Sequence, residues 1–82
     1  MICGTILDSN SIYTYFGHEY RVLFDDTPEA KAQQGAEGPA LSREPEGAYK
    51  TGDRVELAYQ FDASYGLWYI LGKAIGTKVL LH

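Results

Sequence analysis

The sequence predicts a single all-β domain over residues 1–82, a small five-stranded antiparallel OB-like barrel, with an SH3-like barrel as the alternative. Three observations predict it. The chain has 82 residues, a length that supports one hydrophobic core. Short runs of β-branched and aromatic residues recur between turn-forming residues. Small antiparallel sheets of this kind close into barrels, because closure removes their unpaired edges.

The N-terminal part of the chain supplies three of these runs. Residues 2–7 are apolar or β-favouring, and the short polar side chains of residues 8–11 favour a turn. Residues 12–16, IYTYF, and residues 19–24, EYRVLF, are rich in β-branched and aromatic residues. Gly17 lies between them and gives the backbone the freedom that a tight connection needs. We therefore expect three consecutive strands joined by short turns.

The composition changes between residues 25 and 49, a segment that holds all three prolines and six of the eleven acidic residues. Thr27 suits the N-cap of a helix, Pro28 suits its first position, and Gly35 suits its end. Residues 36–47 have the composition of a mobile loop. The segment 25–49 is thus predicted to be a long acidic loop that contains one short helix.

Strand patterns return in the last third of the chain. Residues 54–61 alternate apolar and polar side chains, as a half-buried strand does. Residues 62–66 predict a hairpin loop, and residues 67–75 are apolar on both faces, which favours a central or strongly curved strand. Gly72 predicts a bulge or bend in that strand, and residues 78–81 a short last strand. The core face of the first of these strands would carry Val55, Leu57, Tyr59 and Phe61.

Charge and cysteine content limit the classes of function. The net charge is −4, and residues 25–46 alone account for it, so the predicted barrel is neutral. There is no basic cluster, the usual electrostatic footprint of a nucleic-acid-binding protein. The single cysteine, Cys3, excludes an internal disulfide and favours a reducing compartment. Residues 1–10 lack the pattern of a signal peptide, and no apolar run suits a membrane span, so we expect a cytoplasmic protein without membrane contact.

Four short motifs follow one another in the order found in a known family. Residues 4–10, GTILDSN, are similar to its first-strand motif GTVKWFN. Residues 12–16 stand where the family has GFGFI, and residues 20–24, YRVLF, where it has VFVHF. Residues 50–57, KTGDRVEL, are similar to its EGQKVEF strand. The chain therefore resembles the cold-shock domain, an OB-fold barrel that binds single-stranded nucleic acid.

The chain departs from that family at positions that contact nucleic acid. Leu7 and Asp8 stand where the family has lysine and tryptophan, and Leu23 stands where it has histidine. Thr14 separates two tyrosines where the family has glycine between aromatic residues. These departures weaken the function that the resemblance implies more than the fold that it implies.

Side chains alternate across a strand, so residues 12–16 divide into two sets. If the more apolar set fills the barrel, Tyr13 and Tyr15 project outward together. The resemblance implies that Tyr20 and Val22 point inward, that Arg21 and Leu23 point outward, and that Phe24 points outward where the strand bends. Tyr65 in the hairpin loop either extends this surface or caps the end of the barrel. The predicted nucleic-acid-binding residues are Tyr13, Tyr15, Arg21, Leu23, Phe24 and Tyr65.

These aromatic residues have two interpretations. Two tyrosines and a phenylalanine on one face are suited to stack on bases, and Arg21 is suited to pair with a phosphate. The same residues also stabilise a sheet through cross-strand contacts without any ligand. Trp68 is expected in the core, His18 in a turn, and Asp25 with Asp26 in a solvated acidic turn rather than a metal site.

The sequence thus predicts a non-enzymatic binding module with no catalytic residues, no metal and no cofactor. The preferred partner is single-stranded RNA or DNA, bound on the aromatic sheet face. The alternative is a protein-interaction or regulatory module of the phage or plasmid type, which engages a protein partner through the same face or through the acidic loop.

Overall fold

The computed structural model of the protein describes residues 2–25, 27–28, 36–62 and 65–74, with the side chains of Asp62 and Tyr65 left out. The regular elements in this part of the chain are all β-strands, as the sequence predicts. They are β1 (Ile2–Ile6), β2 (Ile12–Thr14), β3 (Gly17–Phe24), β4 (Glu37–Ser42), β5 (Arg54–Asp62) and β6 (Tyr65–Lys73).

Five of the strands close into a barrel. The antiparallel pairs are β1 with β3, β3 with β4, β5 with β6, and β1 with β5. One parallel pairing, between β4 and β6, closes the ring. The predicted all-β class and small OB-like barrel are therefore confirmed.

The short strand β2 lies outside the ring and prolongs the line of β1. Ile6 of β1 pairs with Val22 of β3, and Ile12 of β2 pairs with Glu19 of the same strand. The two strands therefore flank the same edge of β3, and residues 7–11 bulge out between them. The predicted strand over residues 12–16 is a three-residue extension, and β3 is the second strand of the barrel.

The predicted loop over residues 36–47 is wrong for residues 37–42, because these residues form strand β4. Its sequence, EGPALS, has low β-propensity because glycine, proline and alanine are depleted in strands. Its inward positions carry small side chains that lie beneath large ones of β3: Gly38 pairs with Val22, and Ala40 pairs with Tyr20. Tertiary packing thus outweighs propensity. Beyond Pro28, the predicted helix falls on residues that are not described.

The core follows the predicted alternation in β3 and in the first half of β5. Tyr20 and Val22 are fully buried, and Trp68 is buried as expected. The Trp68 ring lies 4.9 Å from that of Phe24, and the Tyr20 ring lies 5.6 Å from that of Tyr49. The core cluster consists of Ile6, Tyr20, Val22, Phe24, Ala40, Tyr49, Val55, Leu57, Trp68 and Ile70.

Two stretches run past the end of the barrel, where alternation no longer predicts burial. Tyr59 and Phe61, expected on the core face, are exposed. Their segment of β5 pairs with β6 alone, because β1 reaches only to Leu57. Ile12 and Phe16 are likewise exposed, since β2 pairs only with β3. The predicted irregularity near Gly72 is confirmed, because the register of β5 against β6 shifts between Glu56 and Leu57.

Candidate binding groove

The structure separates the predicted binding residues. Tyr13 and Tyr15 project into solvent, with 79% and 96% of their surface exposed, and Arg21 and Leu23 are exposed as expected. The outward placement of Phe24 is wrong, because only 4% of its surface is exposed. Strand β3 continues its alternation to its last residue, so Phe24 points inward like Tyr20 and Val22.

The remaining residues do not share one face. Tyr13 pairs with His18, and their rings lie 5.1 Å apart. His18 is two residues from Tyr20, so the two side chains lie on the same face of β3, and Tyr13 shares that face because it pairs with His18. Arg21 lies on the opposite face of β3. Tyr13 and Arg21 therefore do not form one surface. The side chain of Tyr65 is not described. The role of these residues in nucleic-acid binding stays a prediction.

A different arrangement stands out on the outer face of β3 and β4. A groove of about 260 Å³ lies there, between the β2–β3 turn and the first residues of β6. OB-fold proteins bind their ligands across the second and third barrel strands, between the loops that follow the first and fourth strands. In this chain β3 and β4 hold those two positions. The groove is lined by Phe16, Glu19, Pro39, Leu41, Gly66, Leu67 and Trp68.

The groove lies where the ladder between β4 and β6 ends. Their one pairing joins Leu41 to Tyr69. The N–H of Phe24 donates to the carbonyl of Ala36 (2.7 Å), and bonded pairs alternate along an antiparallel ladder. Pro39 therefore turns its main chain away from β3, toward β6. Proline has no N–H to donate, so the ladder with β6 does not extend past it.

The turn that carries Phe16 is fixed by its own hydrogen bonds. The Thr14 hydroxyl donates to the carbonyl of Gly17 (2.7 Å) and accepts from the N–H of Phe16 (3.1 Å). Gly17 has a φ of +132°, and a Cβ there would lie 2.6 Å from the carbonyl oxygen of Ser42. Glycine is thus required both by backbone conformation and by the close approach of β4. Together these contacts position the Phe16 ring on one wall of the groove.

The electrostatics of the groove are acidic. Glu19 is half-buried in it and, among the described residues, makes no ion pair. Two cations lie near this face: Arg21 forms an ion pair with Glu37, and the Arg43 guanidinium lies 4.2 Å from the centroid of the Tyr69 ring. No lysine or arginine is among the groove's lining residues. Among the residues that line it, the groove therefore combines apolar walls with one carboxylate and no cation.

Elsewhere the charged residues have structural roles. Arg54 donates from both terminal nitrogens to the carboxylate of Asp25, each at 2.7 Å, and also to the Thr5 hydroxyl. These hydrogen bonds and the guanidinium charge lower the pKa of Asp25, although partial burial opposes the shift. Asp25 is therefore paired, not merely solvated as predicted. Within the described residues, no group of three or more His, Cys, Asp or Glu side chains could hold a metal ion.

Most of the residues that line the groove are not predicted as binding residues by the sequence. Phe16 is assigned to the core by alternation, and Leu67 is treated only as part of an apolar strand. Pro39 and Leu41 fall in the predicted loop, and Glu19 carries no signal of its own. Pro39 is the one sequence feature that indicates an open strand edge here, because prolines within sheets are found mainly on edge strands.

Comparisons of this chain with protein family models, with curated proteins and with solved structures gave no match. In the described part of the chain, no helix is long and apolar enough to cross a membrane.

Proposed function

We propose that this protein is a non-enzymatic binding module whose groove takes an extended segment of a partner protein. The observation that carries the proposal is the make-up of the groove, in which Phe16 and Leu67 offer apolar walls and Glu19 offers a carboxylate without a cation. Its volume, about 260 Å³, lies just below the roughly 300–1,000 Å³ of small-molecule pockets. This space suits one or two side chains, an apolar one and a basic one.

The charge of the groove favours a protein over a nucleic acid. Proteins that bind single strands without sequence preference use a positively charged groove that follows the phosphates. Here Glu19 is acidic, Arg21 is paired with Glu37, and Arg43 lies over the Tyr69 ring. Among the residues that line the groove, a phosphate would meet a carboxylate and no cation. A lysine or arginine of a partner protein would instead complete an ion pair. The free thiol of Cys3 fits a reducing, cytoplasmic setting for this interaction.

Selection of a random peptide library displayed on phage, against the full chain, tests this function. We expect enriched peptides to combine apolar residues with a lysine or arginine. Leu67→Asp should abolish their binding, because it places a charge on an apolar wall of the groove. Glu19→Lys should weaken it at least about tenfold, since it replaces an attraction with a repulsion.

The matched control is Leu71→Asp, which adds the same charge to β6 at an exposed leucine that does not line the groove. This variant should bind the selected peptides like the unmodified chain. A selection without enrichment would contradict the proposal, and so would peptides to which Leu67→Asp and Leu71→Asp bind equally well.

Single-stranded nucleic acid is the second candidate, and the exposure of Tyr13 and Tyr15 favours it. Rings with 79% and 96% of their surface in solvent are available to stack on bases, and one stack contributes roughly 1–3 kcal/mol. Fluorescence titration with labelled oligonucleotides at low salt tests it. Tyr15→Ala should then weaken binding by roughly 5- to 100-fold, and Phe61→Ala should leave it unchanged. Absence of binding at low salt would remove this candidate.

A further inference from the structure

We infer that the partner segment binds as an added β-strand along the open edge of β6 at Gly66, with a lysine or arginine of the segment against Glu19. This inference rests on the proposed function and adds the binding mode. It follows from the direction of main-chain groups beside the groove, from the place where the ladder between β4 and β6 stops, and from the unpaired carboxylate.

The edge of β6 that faces the groove is defined by its pairing with β4. Glu19 and Leu41 are a non-bonded pair of the β3–β4 ladder, so Leu41 turns its N–H and carbonyl toward β6. In a parallel pairing, a residue bonds the two neighbours of its partner rather than the partner itself. Leu41 is paired with Tyr69, so its N–H and carbonyl bond Trp68 and Ile70. Gly66, two residues before Trp68, therefore presents its N–H and carbonyl to the same side.

In the described part of the chain, no strand pairs with Gly66 on that side. The residue of β4 that would donate an N–H to the carbonyl of Gly66 is Pro39, and proline has no N–H. Within the described part of the chain, Gly66 pairs with Phe61 of β5, and the one pairing between β4 and β6 joins Leu41 to Tyr69, so none joins Gly66 to β4. An exposed donor and acceptor at a strand edge are a template for another chain.

The shape of the edge suits a close approach. A Cβ at Gly66 would collide with the hydroxyl and ring of Tyr59, which covers one side of this residue. Gly66 lines the groove with main-chain atoms alone, because it has no side chain. An extended peptide placed there would bond through its backbone, and its alternate side chains would enter the groove.

Charge complementarity identifies the occupant. Apolar side chains of the segment fit between Phe16 and Leu67, and a cationic side chain pairs with Glu19. An acidic segment would meet repulsion from Glu19, whereas the neighbouring Glu37 is paired with Arg21. The partner is therefore an extended protein segment that is apolar and basic.

Restoring the missing donor tests the added strand, with the tightest peptide from the selection as the probe. Pro39→Ala supplies an N–H opposite the carbonyl of Gly66, so β4 should pair further with β6 and close the gap. We expect the affinity for the peptide to fall about tenfold, while the thermal stability of the barrel stays the same or rises. Pro45→Ala, at an exposed loop proline, is the matched control and should bind like the unmodified chain. Unchanged affinity in Pro39→Ala would overturn the inference.

Backbone methylation of the peptide separates this inference from the proposed function. Methylation of the amide that bonds Gly66 should weaken binding roughly five- to tenfold, and binding should slow hydrogen exchange at the Gly66 N–H. A peptide that is blocked by Leu67→Asp but tolerates methylation at every amide, and leaves exchange at Gly66 unchanged, would overturn the added strand and keep the groove. A selection without any groove-binding peptide would overturn both.

Discussion

At the scale of single residues, the ion pair between Asp25 and Arg54 ties the end of β3 to the start of β5. Arg54 bonds both carboxylate oxygens of Asp25, which lowers its pKa below the ordinary 3.8. A lowered pKa in the folded state contributes stability above the unfolded pKa of about 3.9, and this contribution is lost as the pH falls through the folded value. Both side chains are partly exposed, 37% and 46%, so solvent screening keeps the contribution below about 1 kcal/mol.

We therefore expect Asp25→Asn to lower the free energy of unfolding at pH 7 by up to about 1 kcal/mol. The difference from the unmodified chain should shrink below about pH 4 and vanish below the folded pKa of Asp25. Urea unfolding at a series of pH values measures it. Glu46→Gln, in an exposed turn, is the control and should change little at any pH. A difference for Asp25→Asn that is the same at pH 7 and at low pH would contradict this role.

A second residue-scale prediction concerns Gly4, which pairs with β3 on one side and β5 on the other. A Cβ there would lie 2.6 Å from Val22 Cγ1 and 2.8 Å from the carbonyl oxygen of Leu23. The backbone atom cannot move aside as a flexible side chain can. Gly4→Ala should therefore destabilise the barrel by about 1–3 kcal/mol in urea unfolding. Cys3→Ala, at the neighbouring outer position, should cost less, and an equal cost would argue against this tight contact.

At the scale of elements, β4 shows how small side chains make a barrel strand. Ala40 is buried beneath Tyr20 and belongs to the core. Ala40→Leu should overpack that site and lower the free energy of unfolding by about 1–3 kcal/mol. Ala36→Leu, at an exposed position just before β4, should change it by no more than about 0.5 kcal/mol. If both substitutions have the same small effect in urea unfolding, residues 37–42 do not pack as described.

The same elements explain which strands could be predicted from the sequence. β3 and β5 carry large apolar residues at alternate positions, so period-two patterning identifies them as strands and places Val55 inside, while the family resemblance implies that Tyr20 and Val22 point inward, and all three are buried. β4 carries no such pattern, because its inward positions need only fill the space that Tyr20 leaves. Alternation also cannot show where a strand leaves the barrel, which is why Phe16 and Phe61 are predicted inside and found exposed.

The candidate site was less predictable than the fold. Alternation in a single strand predicts exposed Tyr13 and Tyr15, and both are exposed, although the opposite set, Ile12 and Phe16, is exposed as well because β2 lies outside the barrel. The groove instead combines a turn residue, Phe16, with residues of β3, β4 and β6 that are distant in sequence. Their juxtaposition depends on a ladder that ends at Pro39, and this is a property of strand pairing rather than of any one segment. Because the sequence does not predict β4 as a strand, it does not predict the groove that Pro39 and Leu41 of β4 line.

At the scale of the whole molecule, the barrel has one weak seam. Antiparallel ladders of three to eight paired positions join the other neighbouring strands of the ring, whereas β4 and β6 share one parallel pairing. Parallel pairs are also slightly less stable per residue than antiparallel ones. The seam borders the groove at Leu41, so the part of the barrel that opens most readily is also the part proposed to receive a partner strand.

Hydrogen exchange under native conditions measures this uneven stability. The N–H groups of Leu41 and Ile70 lie in the seam, and that of Tyr20 lies in the bonded ladder between β3 and β4. Because fewer backbone bonds must break, we expect Leu41 and Ile70 to exchange with a lower opening free energy than Tyr20, whose exchange should approach the global free energy of unfolding. Pro39→Ala should raise the value for Leu41 and Ile70, because a longer ladder then closes the ring. One common opening free energy for all three amides would show that the barrel opens only as a whole, without a weak seam.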